Sequence, residues 1–218
     1  MTESAVTVAS SEVRGTLVRR AQTLAWAGIG WHLIEFAVAV GAGVAASSIA
    51  LIGFGLDSLI ELFVALIVIW RFSASRSSSP SAERRAQRML AVSFFLLAAY
   101  VWVEATRSLV LGLHPEVSWL GMALAAAAMP TMVLLARAKR RVGERLGSGV
   151  TVGEGIQNLL CAYLSVGLLI GLGLNALFGY WWADPVAAAA IGVVAVREGL
   201  ESWKGRDCCG SCRQKGRE

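Results

Sequence analysis

Asp57 and Glu61 lie four residues apart in an otherwise apolar run, so on a helix they stack on one face. Two carboxylates held that close repel each other unless a proton or a cation sits between them, which makes the pair a cation-binding element. Three further polar groups sit in similarly apolar surroundings. His32 and Glu35 are three residues apart and share a face, Gln157 and Cys161 are four apart with Glu154 one turn earlier, and Glu104 and Arg107 are three apart with opposite charge. Each has a plainer reading. The acids on one face could hydrogen-bond neighbouring helices and only hold a bundle together; His32 and Glu35 could satisfy each other; Cys161 alone would be a small core residue. Glu104 and Arg107 neutralise each other locally, and the structural reading is the stronger one there. For Asp57 and Glu61 the functional reading is the stronger.

Near the end of the chain, Cys208, Cys209 and Cys212 stand in the run CCGSC. The Cys-Xaa-Xaa-Cys spacing suits a soft metal, and a reducing cytosol keeps such thiols free. Three thiols do not complete a four-ligand site. Metal capture, thiols without a role, and a redox or lipid-attachment role all stay open for them.

What makes the carboxylates matter is the setting that must position them. Of 218 residues, 56% are hydrophobic and only 16% charged, too apolar a balance for an ordinary soluble domain of this size. A helix needs roughly 20 apolar residues to cross a hydrocarbon core, and six stretches qualify: 22–44, 48–70, 89–111, 118–136, 155–178 and 182–196. The predicted fold is an all-α integral membrane protein, a bundle of six transmembrane helices. A charge at the centre of such a helix costs roughly 2.5 to 3.5 kcal/mol, so an intramembrane carboxylate needs a partner or a function.

The loops predict orientation. Residues 71–88 and 137–145 each carry five basic residues, Arg14, Arg19 and Arg20 precede the first span, and the loops 45–47, 112–117 and 179–181 carry none. Basic residues of short loops stay cytosolic, which places both termini inside. Trp70, Trp119, Trp181, Trp182 and Trp203 fall near predicted span ends, where an indole sits at headgroup level. The net charge of +5 is dispersed in short clusters between apolar runs, which argues against a nucleic-acid partner. The first 20 residues do not read as a cleaved signal peptide. A Ser-rich stretch, 73–81, reads as a flexible cytosolic loop. The expected division is a cytosolic segment 1–20, a transmembrane domain 21–204 and a cytosolic cysteine-containing tail 205–218. Gly167 and Gly171 form a small-xxx-small pattern on the fifth helix that favours close helix approach.

The run SSIALIGFGLDSLIE at 47–61, followed by LFVALIVIWRF, closely resembles the second helix of the cation diffusion facilitators, the metal cation/proton antiporters. The resemblance extends over roughly 20–204. The fifth and sixth segments, GEGIQNLLCAYLS and NALFGYWWADPVAAAAIG, match in layout, including the Asp184–Pro185 pair that opens the last helix. In that family a tetrahedral site for zinc or a similar divalent ion is made by two acidic or His residues four apart on the second helix and a His and an Asp four apart on the fifth. Carried across, the resemblance implies a site of Asp57, Glu61, Gln157 and Cys161. Here Gln and Cys stand where the family usually has imidazole and carboxylate. Two carboxylates, a thiolate and an amide can still hold zinc, which accepts oxygen and sulfur ligands in tetrahedral geometry.

The resemblance further implies a short branch of the family without the cytosolic metal-binding domain that usually follows the sixth helix. It implies a homodimer in the lipid bilayer of the cell membrane, with no permanently bound cofactor. A divalent cation, zinc-like, would be the substrate, exported in exchange for protons. His32, Glu35 and Glu154 are accessory candidates. Two other classes stand beside this one: a non-transporting membrane protein that binds metal or a partner through the same face, and a membrane thiol oxidoreductase using Cys161. The oxidoreductase would need a second thiol at membrane depth, and the spans contain none.

Overall fold

The computed structural model describes residues 2–45, 49–73, 76, 79–112, 119–178, 180 and 182–205. Six helices account for nearly all of them: α1 (Thr2–Ala45), α2 (Ile49–Arg71), α3 (Pro80–Leu111), α4 (Trp119–Leu146), α5 (Gly149–Phe178) and α6 (Ala183–Lys204). No strand occurs among the described residues. Three stretches are long and apolar enough to cross a membrane by length and composition, Glu12–Ala42, Pro80–Leu111 and Trp119–Leu146. At 1.5 Å per residue the 23 residues of α2 reach about 34 Å, also enough to span.

Helix ends follow local chemistry. Ser79, with extended backbone, accepts a hydrogen bond from Ala82 N at 3.3 Å, and Pro80 takes the first helical position, where its missing N–H costs nothing. That cap starts α3 nine residues earlier than the apolar pattern alone predicts, and Arg84, Arg85 and Arg88 stand on the helix rather than in a loop. At the other end of the Ser-rich stretch, Ser73 and Arg76 are held in hydrogen-bonded turns. Helix α1 likewise runs through most of the segment expected to precede the bundle, and α4 continues through the basic run to Leu146.

The closest helix pairs are α1 with α2, α4 with α5, and α3 with α6, and α5 touches α2, α3 and α6 as well. The surroundings of Gly171 lie outside the described residues, and close approach is described at other glycines. Helices α4 and α5 meet at Gly143 and Gly155: a Cβ at Gly143 would lie 2.7 Å from Val152 N, and one at Gly155 2.9 Å from the Ala136 carbonyl oxygen. Ala21, Ala25, Val64, Val68, Leu90, Phe94 and Leu97 fill the centre of the bundle. Its outside is apolar too: Leu33, Ile34, Leu66, Leu96, Val103, Leu134 and Val193 are all exposed. A soluble protein does not leave so much apolar surface bare, whereas a bundle solvated by lipid does.

One end of the bundle is tied by a single carboxylate. Glu83 on α3 lies 2.6 Å from Arg71 Nε at the end of α2. It also accepts from Ser148 Oγ at 3.1 Å and from Val150 N at 3.0 Å, at the start of α5. Arg71 additionally donates to the Arg76 carbonyl at 2.5 Å. Three helices therefore share one fastening at this end.

Candidate metal centre

On four helices the buried positions recur every three or four residues, and the polar groups fall on those stripes. In α1 the buried stripe runs Ala21, Ala25, Gly28, His32, Glu35, Ala39; in α2 it includes Asp57, Ser58, Glu61 and Val64. In α5 it runs Glu154, Gln157, Asn158, Cys161, Ser165, and in α4 Ala125, Ala128, Met132, Ala136, Lys139. Apolar neighbours on the same helices face outward. The fold thus turns its polar side chains toward one another at the centre and away from lipid.

Asp57 and Glu61 of α2 and Cys161 of α5 meet there. One ligand atom from each lies within 4.8 Å of the other two, and all three side chains are buried. The helical spacing brings the acids onto one face, and the packing of α5 on α2 brings the thiol to them. Gln157, one turn before Cys161, is buried as well; its Oε1 accepts a hydrogen bond from Ser93 Oγ of α3 at 3.1 Å, which leaves that oxygen a second lone pair.

A second cluster shares one of these acids. His32 Nδ1 of α1 lies 3.1 Å from a Glu61 oxygen and 3.4 Å from a Glu35 oxygen. His32 and Glu35 therefore do contact each other, as their spacing suggested, but Glu61 of α2 joins them. Spacing within one helix could not show that third member, because it is set by the packing of α1 against α2.

Glu154 goes elsewhere. Its partner is Lys139 Nζ at 2.8 Å, and the same ammonium donates to Asn158 Oδ1 at 3.0 Å. Asn158 in turn donates to Met132 Sδ at 3.0 Å. Lys139, counted in the sequence among the basic residues of a cytosolic loop, is 1% exposed. The signal that would have found it is its place seven residues after Met132, on the buried stripe of α4. Glu104 and Arg107 form the expected local pair, 3.5 Å apart and only half-buried. Cys208, Cys209 and Cys212 lie outside the described residues, and so do the side chain of Asp184 and the loop residues 113–118.

Residues 25–204 match the family model of the cation efflux transmembrane domain. The chain belongs to the cation efflux family. Every residue of both carboxylate clusters, and the Lys139–Glu154 pair, falls inside the matched cation efflux segment. An uncharacterized transporter of Synechocystis sp. is 25% identical over 182 residues, covering 80% of this chain and 59% of that protein. Transmembrane protein 163 of Xenopus laevis is 24% identical over 185 residues, covering 84% of this chain and 66% of that protein. The chain thus spans 59% and 66% of the length of these two relatives of the cation efflux domain.

Proposed function

We propose that this cation efflux protein carries a divalent metal cation, zinc or a similar ion, across the membrane in exchange for protons. The observation that supports it most is the buried meeting of Asp57, Glu61 and Cys161, whose ligand atoms lie within 4.8 Å of one another between α2 and α5. Two anionic oxygens and a sulfur are a donor set for a borderline-soft ion, and Gln157, one turn before Cys161 on α5, is the proposed fourth, neutral donor. The same carboxylates provide the coupling. A dication arriving at the pair displaces protons that otherwise relieve the repulsion between the acids, and protons arriving from the other side displace the ion. Nothing in this cycle needs a resident cofactor. In the working orientation both termini and the basic helix ends face the cytosol, and two copies of the chain associate in the cell membrane.

The alternative of a membrane protein that binds metal without moving it uses the same residues, so only flux separates the two. The thiol-oxidoreductase reading has less support: among the described residues Cys161 is flanked by carboxylates and not by a second thiol. The test is reconstitution of the purified protein in liposomes, with uptake of a panel of divalent ions measured with and without a pH gradient. Zinc flux driven by the gradient, lost in Asp57→Ala at equal incorporation, is the expected result. Flux of no ion in the parent protein would favour the binding reading, and parental flux in Asp57→Ala would remove Asp57 from the path.

A further inference from the structure

We infer that His32, Glu35 and Glu61 form a second cation position beside the first, with Glu61 common to both, so that the ion passes from one to the other by exchanging ligands on a shared carboxylate. The inference rests on the transport reading above and adds to it a ligand that the first position does not contain, an imidazole from α1.

The geometry has three parts. First, tetrahedral zinc held at about 2.0 to 2.1 Å by nitrogen and oxygen requires donors about 3.3 Å apart. His32 Nδ1 stands 3.1 Å from Glu61 and 3.4 Å from Glu35, already at that spacing. Second, the three side chains are almost wholly withdrawn from solvent, at 1%, 0% and 4% exposure. Third, they retain unused polar atoms at that depth: His32 Nε2, Glu35 Oε1 and Glu61 Oε1 have no hydrogen-bond partner. An unsatisfied buried polar atom costs about 1 to 3 kcal/mol, a cost that an arriving cation would relieve at the carboxylate oxygens. Of the two His32 Nδ1 contacts only the one to Glu35 has hydrogen-bond geometry, so His32 does not satisfy Glu61.

Charge agrees with the placement. Lys139 is the cation nearest this end of the cluster, since a Cβ at Gly28 would lie 2.9 Å from its Nζ and 3.8 Å from His32 Nε2. Its charge is answered by Glu154 at 2.8 Å, which leaves Glu35 and Glu61 to an incoming cation. Because Glu61 has two oxygens and both clusters use it, full ligation at one position weakens ligation at the other. That arrangement favours one ion moving between two half-sites over two ions resting side by side.

The chain has two histidines, so a His114→Asn background leaves His32 as the sole imidazole. The zinc-loaded protein in that background is measured by X-ray absorption at the zinc edge. In parallel, with Cys208→Ser, Cys209→Ser and Cys212→Ser added to that background so that Cys161 is the sole thiol, cobalt is titrated in as a probe whose thiolate charge-transfer band reports Cys161. The expected result is imidazole scattering in the zinc shell, lost in His32→Gln, while the cobalt–thiolate band persists and gradient-driven zinc flux in liposomes falls at least tenfold. Glu35→Gln gives the same split by a different residue. A zinc shell with sulfur and oxygen but no imidazole, together with normal flux, would overturn this inference and leave the transport reading intact. Absence of both bound metal and flux in the parent protein would overturn both. The absorption measurement on the background protein decides the matter even where a bundle substitution fails to fold.

Discussion

In the proposed site, Cys161 is the member expected to set which ion is held. A thiolate beside two carboxylates favours zinc and cadmium over the hard ions magnesium and calcium. Cys161→Asp is expected to shift flux ratios from cadmium toward manganese, and Cys161→Ser to weaken the thiophilic ions most. Equal zinc, cadmium and manganese ratios in the parent and both variants would show that the thiol merely packs. Lys139 carries a second expectation at this scale. Removing one partner of a buried ion pair strands the other, at a cost of about 3 to 5 kcal/mol, whereas replacing both with apolar groups of similar volume is close to neutral. Lys139→Met should therefore lower thermal stability in detergent sharply, and Lys139→Met with Glu154→Leu should recover most of the loss. Additive losses in the double variant would mean that the contact at 2.8 Å couples the two side chains only weakly.

Among the elements, α4 and α5 depend on their glycines. At Gly143 the atoms that an added methyl would meet are the Val152 N and Thr151 C of the facing backbone, at 2.7 and 3.1 Å, so the helices themselves must move apart. Gly143→Ala is expected to cost about 1 to 3 kcal/mol by overpacking, while Gly15→Ala, with open space around it, should not destabilise; equal melting temperatures for the two would refute the close crossing. Legibility in the sequence divides along the same line. Asp57 and Glu61 were readable because their relation lies within one helix and obeys its period. So was the contact of His32 with Glu35, but not its extension to Glu61, which depends on how α1 meets α2. Lys139 was hidden because a basic run at the end of an apolar stretch looks like an interfacial loop, and only the three- and four-residue stripe through Met132 and Ala136 marks it as interior. Helix ends depart from the apolar pattern where polar caps such as Ser79 and charged but helix-forming residues such as Arg84 and Arg85 extend a helix beyond its apolar part.

For the molecule as a whole, the proposed orientation is checked by accessibility. A cysteine at Ser77 should react with a membrane-impermeant thiol reagent only after the membrane is opened, and one at Val117 should react in intact cells. Both positions lie outside the described residues, and the opposite labelling pattern would invert the bundle. The Glu83 fastening bears on how such a bundle opens. With α2, α3 and α5 joined by one carboxylate at the Arg71 end, any tilt of one of these helices about that joint would displace its atoms in proportion to their distance from it. A tilt of about 10° over a 30 Å helix carries the far end through about 5 Å while scarcely disturbing the pinned end. Asp57, Glu61 and Cys161 sit partway along these helices, where the same tilt separates α2 from α5 by only a fraction of that travel, comparable to the difference between an ion held by both helices and one released by one of them.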